Sequence, residues 1–253
     1  MEWAGEGIVL GARKHGETSA IAEVFTREHG RHAGLVRGGI SRKMRPILQP
    51  GNTLQLEWRA RMEDQLGFYT IEPAHLRVNA ILDDRLALAG LNAACAVARD
   101  SLPDREPAPA LYDVFDILLD NLGNPDIWPA LYVRWELAVL QTLGYGLDLS
   151  KCAATGETAD LTHVSPRTGR AVSREAAEPY LDKLFPLPRF LLGEPVVDPV
   201  AVGDGLALTG HFMETRVSWN VNKPLPEPRQ RMVRLLAEEG YAQLRAKPEV
   251  VED

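Results

Sequence analysis

The sequence lacks a long hydrophobic run. No stretch reaches the roughly 18 to 20 uninterrupted apolar residues that a membrane-spanning helix needs. The first six residues, MEWAGE, are acidic and carry no apolar run of the kind that a signal peptide contains. From these absences we predict a cytoplasmic protein that does not enter a membrane.

Cysteine is equally scarce, since the 253 residues include only Cys95 and Cys152. A chain of this length with 45% hydrophobic residues can bury a core without a disulfide, so both thiols are expected to be reduced. A closed zinc site usually combines four Cys or His ligands in paired spacings, and Cys152 has no second cysteine close to it. We therefore predict no metal and no cofactor. His29 and His32 flank a glycine turn and are expected near phosphate or solvent.

The usual catalytic motifs are also missing. The chain has no GxxxxGK[ST] phosphate loop, no GxSxG elbow, no HExxH helix and no strand followed by GxGxxG. Gly203, Gly205 and Gly210 have the wrong spacing for a dinucleotide site. Nothing in the sequence assembles a nucleophile, a base and an electrostatic stabiliser, so we predict a protein that is not an enzyme.

The formal net charge of -7 argues at first against a nucleic-acid partner, but the charge is unevenly distributed. Residues 1–80 hold 11 Lys and Arg against 9 Asp and Glu, whereas the remaining residues hold 17 against 26. Six basic residues lie between positions 27 and 45 and are opposed only by Glu28: Arg27, Arg31, Arg37, Arg42, Lys43 and Arg45. This stretch is predicted to attract a polyanion.

The first 75 or so residues read as short strands separated by glycine turns. The predicted strands are 7–13, 18–25, 31–36, 52–58 and 66–71. The fourth is the clearest, because Leu54, Leu56 and Trp58 alternate with polar residues, and Trp58 is expected in the core. Pro73 is expected to close the segment. Five such strands fit a small barrel.

After the predicted strands, the apolar residues recur at the spacing of a helix. The predicted helices are 82–99, 111–122, 129–143, 205–216 and 229–244, and residues 147–180 form an irregular, turn-rich insert. The fold class is therefore α+β, with a five-stranded barrel followed by a mainly α-helical domain. We predict boundaries at 1–78 for the barrel, 79–246 for the helical domain and 247–253 for a frayed tail.

Three blocks of residues occur in a recognisable order. The first comprises RKHGETS at 13–19, FTREHG at 25–30, VRGG at 36–39, LQP at 48–50 and Trp58. The second is WEL at 135–137 with LGYG at 143–146, and the third is LALTG at 206–210 with the helix from Arg229. Together they resemble the RecO family of bacterial recombination mediators over nearly the whole chain. Some members carry a four-cysteine zinc site after the central helix, where this chain has only Cys152.

The resemblance implies an N-terminal OB-fold barrel that binds single-stranded DNA and a protein that anneals complementary strands. It also implies that the protein works with RecR to load RecA on DNA coated by single-strand-binding protein (SSB). Arg and Lys side chains at the barrel's turns and linker can track phosphates without reading sequence. The candidate phosphate contacts are Arg13, Lys14, Arg31, Arg37, Arg42, Lys43 and Arg45.

The family also docks the acidic, Phe-ending C-terminal tail of SSB on its helical domain. Such docking requires a hydrophobic slot with a cation for the terminal carboxylate. Arg134, which lies among apolar residues of a predicted helix, is the first candidate, and Arg216 is the second. The alternative for Arg134 is an arginine at the edge of the core or paired with an acid.

Other functions remain open from the sequence. An OB-fold RNA-binding factor would share the basic barrel and differ only in its preference for a 2′-OH. An acidic protein-interaction scaffold would lack affinity for DNA at moderate salt. A zinc-dependent hydrolase would need stoichiometric metal.

Overall fold

The computed structural model describes residues 1–195, 197–218, 224–246 and 248. Contacts divide the chain into two compact units, Met1–Asn124 and Pro125–Asp253. The helices up to Asn124 thus group with the strands, whereas the sequence suggested a boundary after residue 78. The expected frayed tail at 247–253 lies outside the described residues except for Pro248. In the described part of the chain, no helix combines the length and the apolar character needed to span a bilayer.

The N-terminal strands close into a barrel in the order β1-β2-β3-β5-β4, and β4 pairs with β1. All neighbouring pairs are antiparallel except β3 and β5, which run parallel. The strands are β1 Glu2–His15, β2 Ser19–Thr26, β3 Gly30–Val36, β4 Thr53–Arg59 and β5 Phe68–His75. This is a five-stranded OB-type barrel, so the predicted α+β class with an N-terminal OB fold is confirmed.

Alternate residues of each strand fill the barrel, as the period of two requires. Ala20, Ala22 and Val24 of β2 point inward with Leu54 and Leu56 of β4, and all five belong to one buried cluster. Trp58 and Tyr69 also belong to this cluster, with exposed fractions of 2% and 5%. The expectation that Trp58 is in the core is therefore confirmed, and the neighbours of these residues in sequence face outward.

Three helices complete the first unit: α1 Val78–Ile81, α2 Arg85–Ser101 and α3 Pro109–Asp120. Asp84 starts α2, because its carboxylate accepts the backbone N–H groups of Leu86 and Ala87. The outward ring of Phe25 on β2 packs against Tyr112 and Phe115 of α3, with ring centroids 5.6 and 6.1 Å away. The helices therefore cover part of the outer face of the barrel.

The second unit combines helices with a small sheet. Its helices are α4 Trp128–Thr142, α5 Arg174–Ala177, α6 Pro199–Phe212 and α7 Glu227–Glu238, and α6 continues into a π-helical turn, Met213–Ser218. Its strands, β6 Leu161–Val164, β7 Ala171–Ser173 and β8 Phe185–Pro186, pair in the order β7-β6-β8. The insert at 147–180 was expected to be irregular, but it contains two of these strands. Strands of two to four residues are too short to show an alternating pattern.

Three predicted boundaries were wrong for local reasons. Pro73 does not end its strand: it opposes Leu54 beside a register shift, where a missing N–H is tolerated. The helix predicted from Gly205 begins at Pro199, because Asp198 caps it by accepting the N–H of Ala201. The last helix ends at Glu238 rather than Leu244, just before Gly240, whose φ is +84°.

Candidate nucleic-acid interface

The linker between β3 and β4 has one apolar side and one basic side. Residues 38–48 form successive turns, in which the N–H of Leu48 donates to the carbonyl of Met44. Ile40, Met44, Ile47 and Leu48 pack against the barrel core. Because those residues face inward, the basic residues between them are exposed: Arg42, Lys43 and Arg45. The Nε of Arg45 also donates to the carbonyl of Ile40, which steadies the linker.

The linker lies against the turn between β1 and β2. The N–H of Ile40 donates to the carbonyl of Thr18 at 3.3 Å. Gly39 approaches so closely that a Cβ there would stand 2.7 Å from the Cβ of Ala20. In the strand register Lys14 opposes Ala20, and Ala20 opposes Val36. The exposed cations at the end of β1 therefore lie at the same end of the barrel as the linker.

We call this end the basic face and define it by six exposed residues: Arg13, Lys14, Arg37, Arg42, Lys43 and Arg45. No Asp or Glu occurs between residues 29 and 56, so the linker adds positive charge without a neighbouring acid in sequence. The guanidinium carbon of Arg37 lies 4.6 Å from the centroid of the Phe68 ring. Six of the seven predicted phosphate contacts are thus brought to one end of the barrel.

Arg31 is the exception. Its Nε donates to the carbonyl of Leu102 at 2.8 Å, and its other nitrogens lie 3.4 Å from Glu23 and 3.7 Å from Asp104. Arg31 and Arg37 are six positions apart along the extended chain, which corresponds to about 20 Å. The prediction grouped Arg31 with the other cations because they are close in sequence. The direction of β3 instead carries it to the opposite end, where it holds the segment after α2.

The two histidines do not lie where the sequence suggested. His32 points into the barrel and is only 3% exposed, and its Nδ1 lies 2.7 Å from the hydroxyl oxygen of Tyr69. Burial, with a further contribution from the charge of Arg105, lowers the pKa of His32 to about 4. His29 is half-buried and stacks on Trp3 with ring centroids 4.2 Å apart. Both residues belong to an aromatic cluster with Trp3, and His32 also contacts Trp58 and Tyr69, so neither histidine is part of the basic face.

The two candidate arginines of the second unit each lie beside a phenylalanine. Arg134 is exposed on α4, donates from Nη2 to the carbonyl of Phe190 at 2.6 Å, and lies 5.9 Å from the centroid of that ring. Arg216 is half-buried, donates to the carbonyl of Arg167 at 2.7 Å, and lies 5.8 Å from the ring of Phe212. Each position places a cation beside an apolar ring, and both rings are buried, with 1% of each exposed.

Cys152 has hydrogen-bond donors around it rather than metal ligands. Its sulfur accepts the backbone N–H of Ser173 at 3.3 Å and the hydroxyl of the same residue at 3.4 Å. Burial raises the pKa of this thiol, but hydrogen bonds from Ser173 and Thr155 outweigh it and lower the pKa to about 6. In the described ranges, no three His, Cys, Asp or Glu residues are grouped as a metal site would need.

Sequence reasoning missed Phe68. It sits in a strand pattern where core packing is the common outcome, and its neighbour Tyr69 is in fact buried. Phe68 itself is 46% exposed, because it occupies the outward position of that pair. The orientation follows from the register with β4, where the inward Trp58 opposes Tyr69, and the sequence alone carries no signal for that register.

Comparisons with known proteins cover nearly the whole chain. The family model described as Recombination protein O N terminal matches residues 1–77, and Recombination protein O C terminal matches residues 82–224. The DNA repair protein RecO of Ruegeria sp. (strain TM1040) is 54% identical over 238 residues, which are 94% of this chain and 99% of that protein. The protein of the same name from Phenylobacterium zucineum (strain HLK1) is 53% identical over 243 residues, 95% of this chain and 99% of its own. The DNA repair protein RecO of Caulobacter vibrioides (strain NA1000 / CB15N) is 52% identical over 241 residues, which are 94% of this chain and 98% of that protein.

Proposed function

The chain belongs to the RecO family of DNA repair proteins, and on that premise we propose that it is a non-enzymatic, cytoplasmic recombination mediator that binds single-stranded DNA. The barrel, residues 1–78, is the proposed nucleic-acid-binding domain, and we propose that the protein partners bind the helical part that follows it, residues 79–246. The observation that carries the proposal is the basic face: six exposed cations at one end of an OB barrel.

Barrels of this type bind oligonucleotides on strands 2 and 3 and on the loops that join strands 1 to 2 and 4 to 5. Here Phe25 of β2 is covered by α3, and Arg31 of β3 is held by Leu102. Arg13, Lys14 and Arg37, at the other end of the barrel, are exposed. The part of the fold that usually binds nucleic acid is therefore the part that carries the positive charge.

Strand annealing follows from the same charge. Two complementary strands repel each other through their phosphates, and cations that neutralise both backbones lower that repulsion. Arg and Lys side chains on turns hold phosphates without fixing the bases. The bases of two bound strands are then free to pair, and we propose that the protein anneals DNA in this way.

The proposed protein partners are those that the RecO family implies. We propose that the acidic, Phe-ending tail of SSB docks beside Arg134 and Phe190 in the second unit, with Arg216 as a second candidate for the carboxylate. Together with RecR, the protein would then help to load RecA on DNA coated by SSB.

The test is binding to a fluorescent single-stranded oligonucleotide across a salt series. The variant Arg37→Ala/Arg42→Ala/Lys43→Ala/Arg45→Ala removes four cations of the basic face. We expect it to have a lower affinity and a weaker salt dependence, with the slope of log K against log salt falling by roughly 0.7 for each phosphate that the variant no longer binds. The matched control makes the same charge change on exposed residues of the second unit: Lys151→Ala, Lys183→Ala, Arg231→Ala and Arg234→Ala.

The outcomes separate the competing functions. If the wild type shows no salt-sensitive binding, single-strand binding fails and the scaffold function replaces it. If both quadruple variants lose the same affinity, the effect is one of net charge and the basic face is not the site. If an RNA oligonucleotide of the same sequence competes better than DNA, a 2′-OH is being recognised and the RNA-binding function is favoured.

A further inference from the structure

The guanidinium of Arg37, one of the six residues of the basic face, lies over the exposed ring of Phe68, with its carbon 4.6 Å from the ring centroid. We propose that this pair is a base-stacking site: the Phe68 ring and the Arg37 guanidinium take the face of one nucleobase while the surrounding cations hold phosphates. This inference rests on the proposed binding of single-stranded DNA and names the residues that contact a base rather than the backbone.

The exposure of Phe68 distinguishes it from the other aromatic residues of the barrel. Trp58, Tyr69 and Phe25 are between 1% and 5% exposed, whereas Phe68 is 46% exposed even with Arg37 over its ring. A single exposed apolar residue needs no special explanation in general. This one lies among the cations proposed to bind DNA, and every base has a π-face that a ring can contact.

The backbone holds Phe68 on both sides. Phe68 opposes Leu35 of β3 and Arg59 of β4. The carbonyl of Gly67, the preceding residue, accepts the N–H of Leu35 at 3.1 Å. Gly67 has a φ of +62° and lies so close to the indole of Trp58 that a Cβ would stand 2.4 Å from its Nε1. The ring is therefore presented from a fixed position, which reduces the entropy lost when a ligand binds.

Phe68 also stands in a row that crosses the outer face of the barrel. The strand register aligns five residues in the order Arg13, Ile21, Leu35, Phe68 and Arg59. Arg13 and Phe68 are the exposed members of this row, because Ile21 is only 5% exposed and Arg59 pairs with Glu2 at 3.3 Å. Since neighbouring strands are about 4.8 Å apart, Arg13 and Phe68 are separated by roughly 15 Å, within the span of a short oligonucleotide. A strand that reaches from Arg13 to Phe68 can place a phosphate at Arg13 and a base on the ring of Phe68.

Stacking and phosphate contact have different signatures. A phosphate contact releases counterions and so contributes to the salt slope, whereas a stacked base does not. Stacking also requires a base, so it disappears on an abasic strand that keeps the same phosphates. These two differences allow the contribution of Phe68 to be separated from that of the basic face as a whole.

The experiment compares oligothymidylate with an abasic oligonucleotide of equal length, using the wild type and Phe68→Leu. We expect Phe68→Leu to weaken binding to oligothymidylate roughly tenfold, in line with the removal of one stacked base. Its salt slope and its binding to the abasic strand should match the wild type. Phe68→Tyr keeps the ring and should retain binding, and Arg37→Lys keeps the charge but should lose part of the preference for the base-containing strand.

Tyr180→Leu is the matched control, because Tyr180 is an aromatic residue that is 54% exposed and lies in the second unit rather than in the barrel. It should bind both strands like the wild type. The stacking site is overturned if Phe68→Leu binds oligothymidylate as tightly as the wild type. It is also overturned if Phe68→Leu weakens binding to the abasic strand by the same factor as binding to oligothymidylate. In either case the proposed function stands. If the wild type binds neither strand, both the function and the site are overturned.

Discussion

The guanidinium of Arg229 donates two hydrogen bonds to the carboxylate of Glu136, at 2.6 and 2.8 Å, and the two side chains are 6% and 0% exposed. Both side chains make a further hydrogen bond. Thr209 donates its hydroxyl to Glu136 at 2.6 Å, and Arg229 donates to the carbonyl of Leu206 at 3.0 Å. A buried ion pair thus joins α4, α6 and α7.

We expect Glu136→Gln to destabilise the protein strongly. The change leaves the charge of Arg229 buried without a counter-ion, and breaking a buried pair from one side costs about 3 to 5 kcal/mol. The urea unfolding midpoint should fall by an amount that corresponds to this cost. Fluorescence is a suitable probe, because Trp128 and Trp135 lie on the same helix as Glu136.

A surface pair of similar geometry provides the control. Arg174 donates two hydrogen bonds to Asp160 at 3.0 and 3.2 Å, but these side chains are 64% and 55% exposed. Asp160→Asn should leave the unfolding midpoint close to that of the wild type, because water solvates the freed charge. If Glu136→Gln and Asp160→Asn lower the unfolding midpoint equally, burial of the ion pair does not determine the free-energy cost of breaking it.

Stability should depend on pH through His32. The unfolded chain takes up a proton near the ordinary histidine pKa of 6.5, whereas burial holds the folded pKa at about 4. The folded state therefore binds fewer protons between these values. The free energy of unfolding should fall as the pH drops from 6.5 towards 4, by up to about 1.4 kcal/mol per pH unit.

The measurement is a set of urea titrations at several pH values in this window, for the wild type and for His32→Gln. The variant should show a weaker pH dependence because it lacks the titrating ring. His15→Gln, at an exposed position at the end of β1, should keep the slope of the wild type. An unchanged slope in His32→Gln would mean that other groups cause the pH dependence.

Arg31→Ala should reduce stability without changing the salt dependence of DNA binding. The variant lacks the hydrogen bond to the carbonyl of Leu102 and the ion pairs with Glu23 and Asp104, at a cost of about 1 to 3 kcal/mol. Arg42→Ala, on the exposed linker, should show the reverse: a smaller salt slope and an unchanged unfolding midpoint. A salt slope that falls equally in both variants would place Arg31 in the interface after all.

The same residue shows where sequence reasoning reaches its limit. Strands and helices could be predicted because their periods are local: Leu54, Leu56 and Trp58 alternate in sequence and face one way in space. The basic residues were also visible as a group. The direction of β3 could not be predicted from the sequence. It places Arg37 beside the other basic residues and Arg31 at the opposite end of the strand.

Contacts between distant residues lie beyond local patterns altogether. Glu136 and Arg229 are 93 positions apart, and nothing near either residue indicates the other. Phe68 and Tyr69 are adjacent aromatics in a strand, so period alone states that one faces inward without stating which. The pairing with β4 decides it, and that pairing is a property of the closed barrel.

We expect that the protein does not bind stoichiometric zinc. The sulfur of Cys152 accepts hydrogen bonds from the N–H and the hydroxyl of Ser173 and is not surrounded by further metal ligands. Elemental analysis should find well under one zinc per chain, and EDTA should leave the thermal midpoint unchanged. Cys152→Ser keeps a hydrogen-bond acceptor and should stay close to the wild type. Cys152→Val leaves the buried Ser173 N–H without its acceptor and should cost about 1 to 3 kcal/mol. Bound zinc that is lost from Cys152→Ser, with a matching fall in midpoint on chelation, would show instead that this cysteine is a metal ligand.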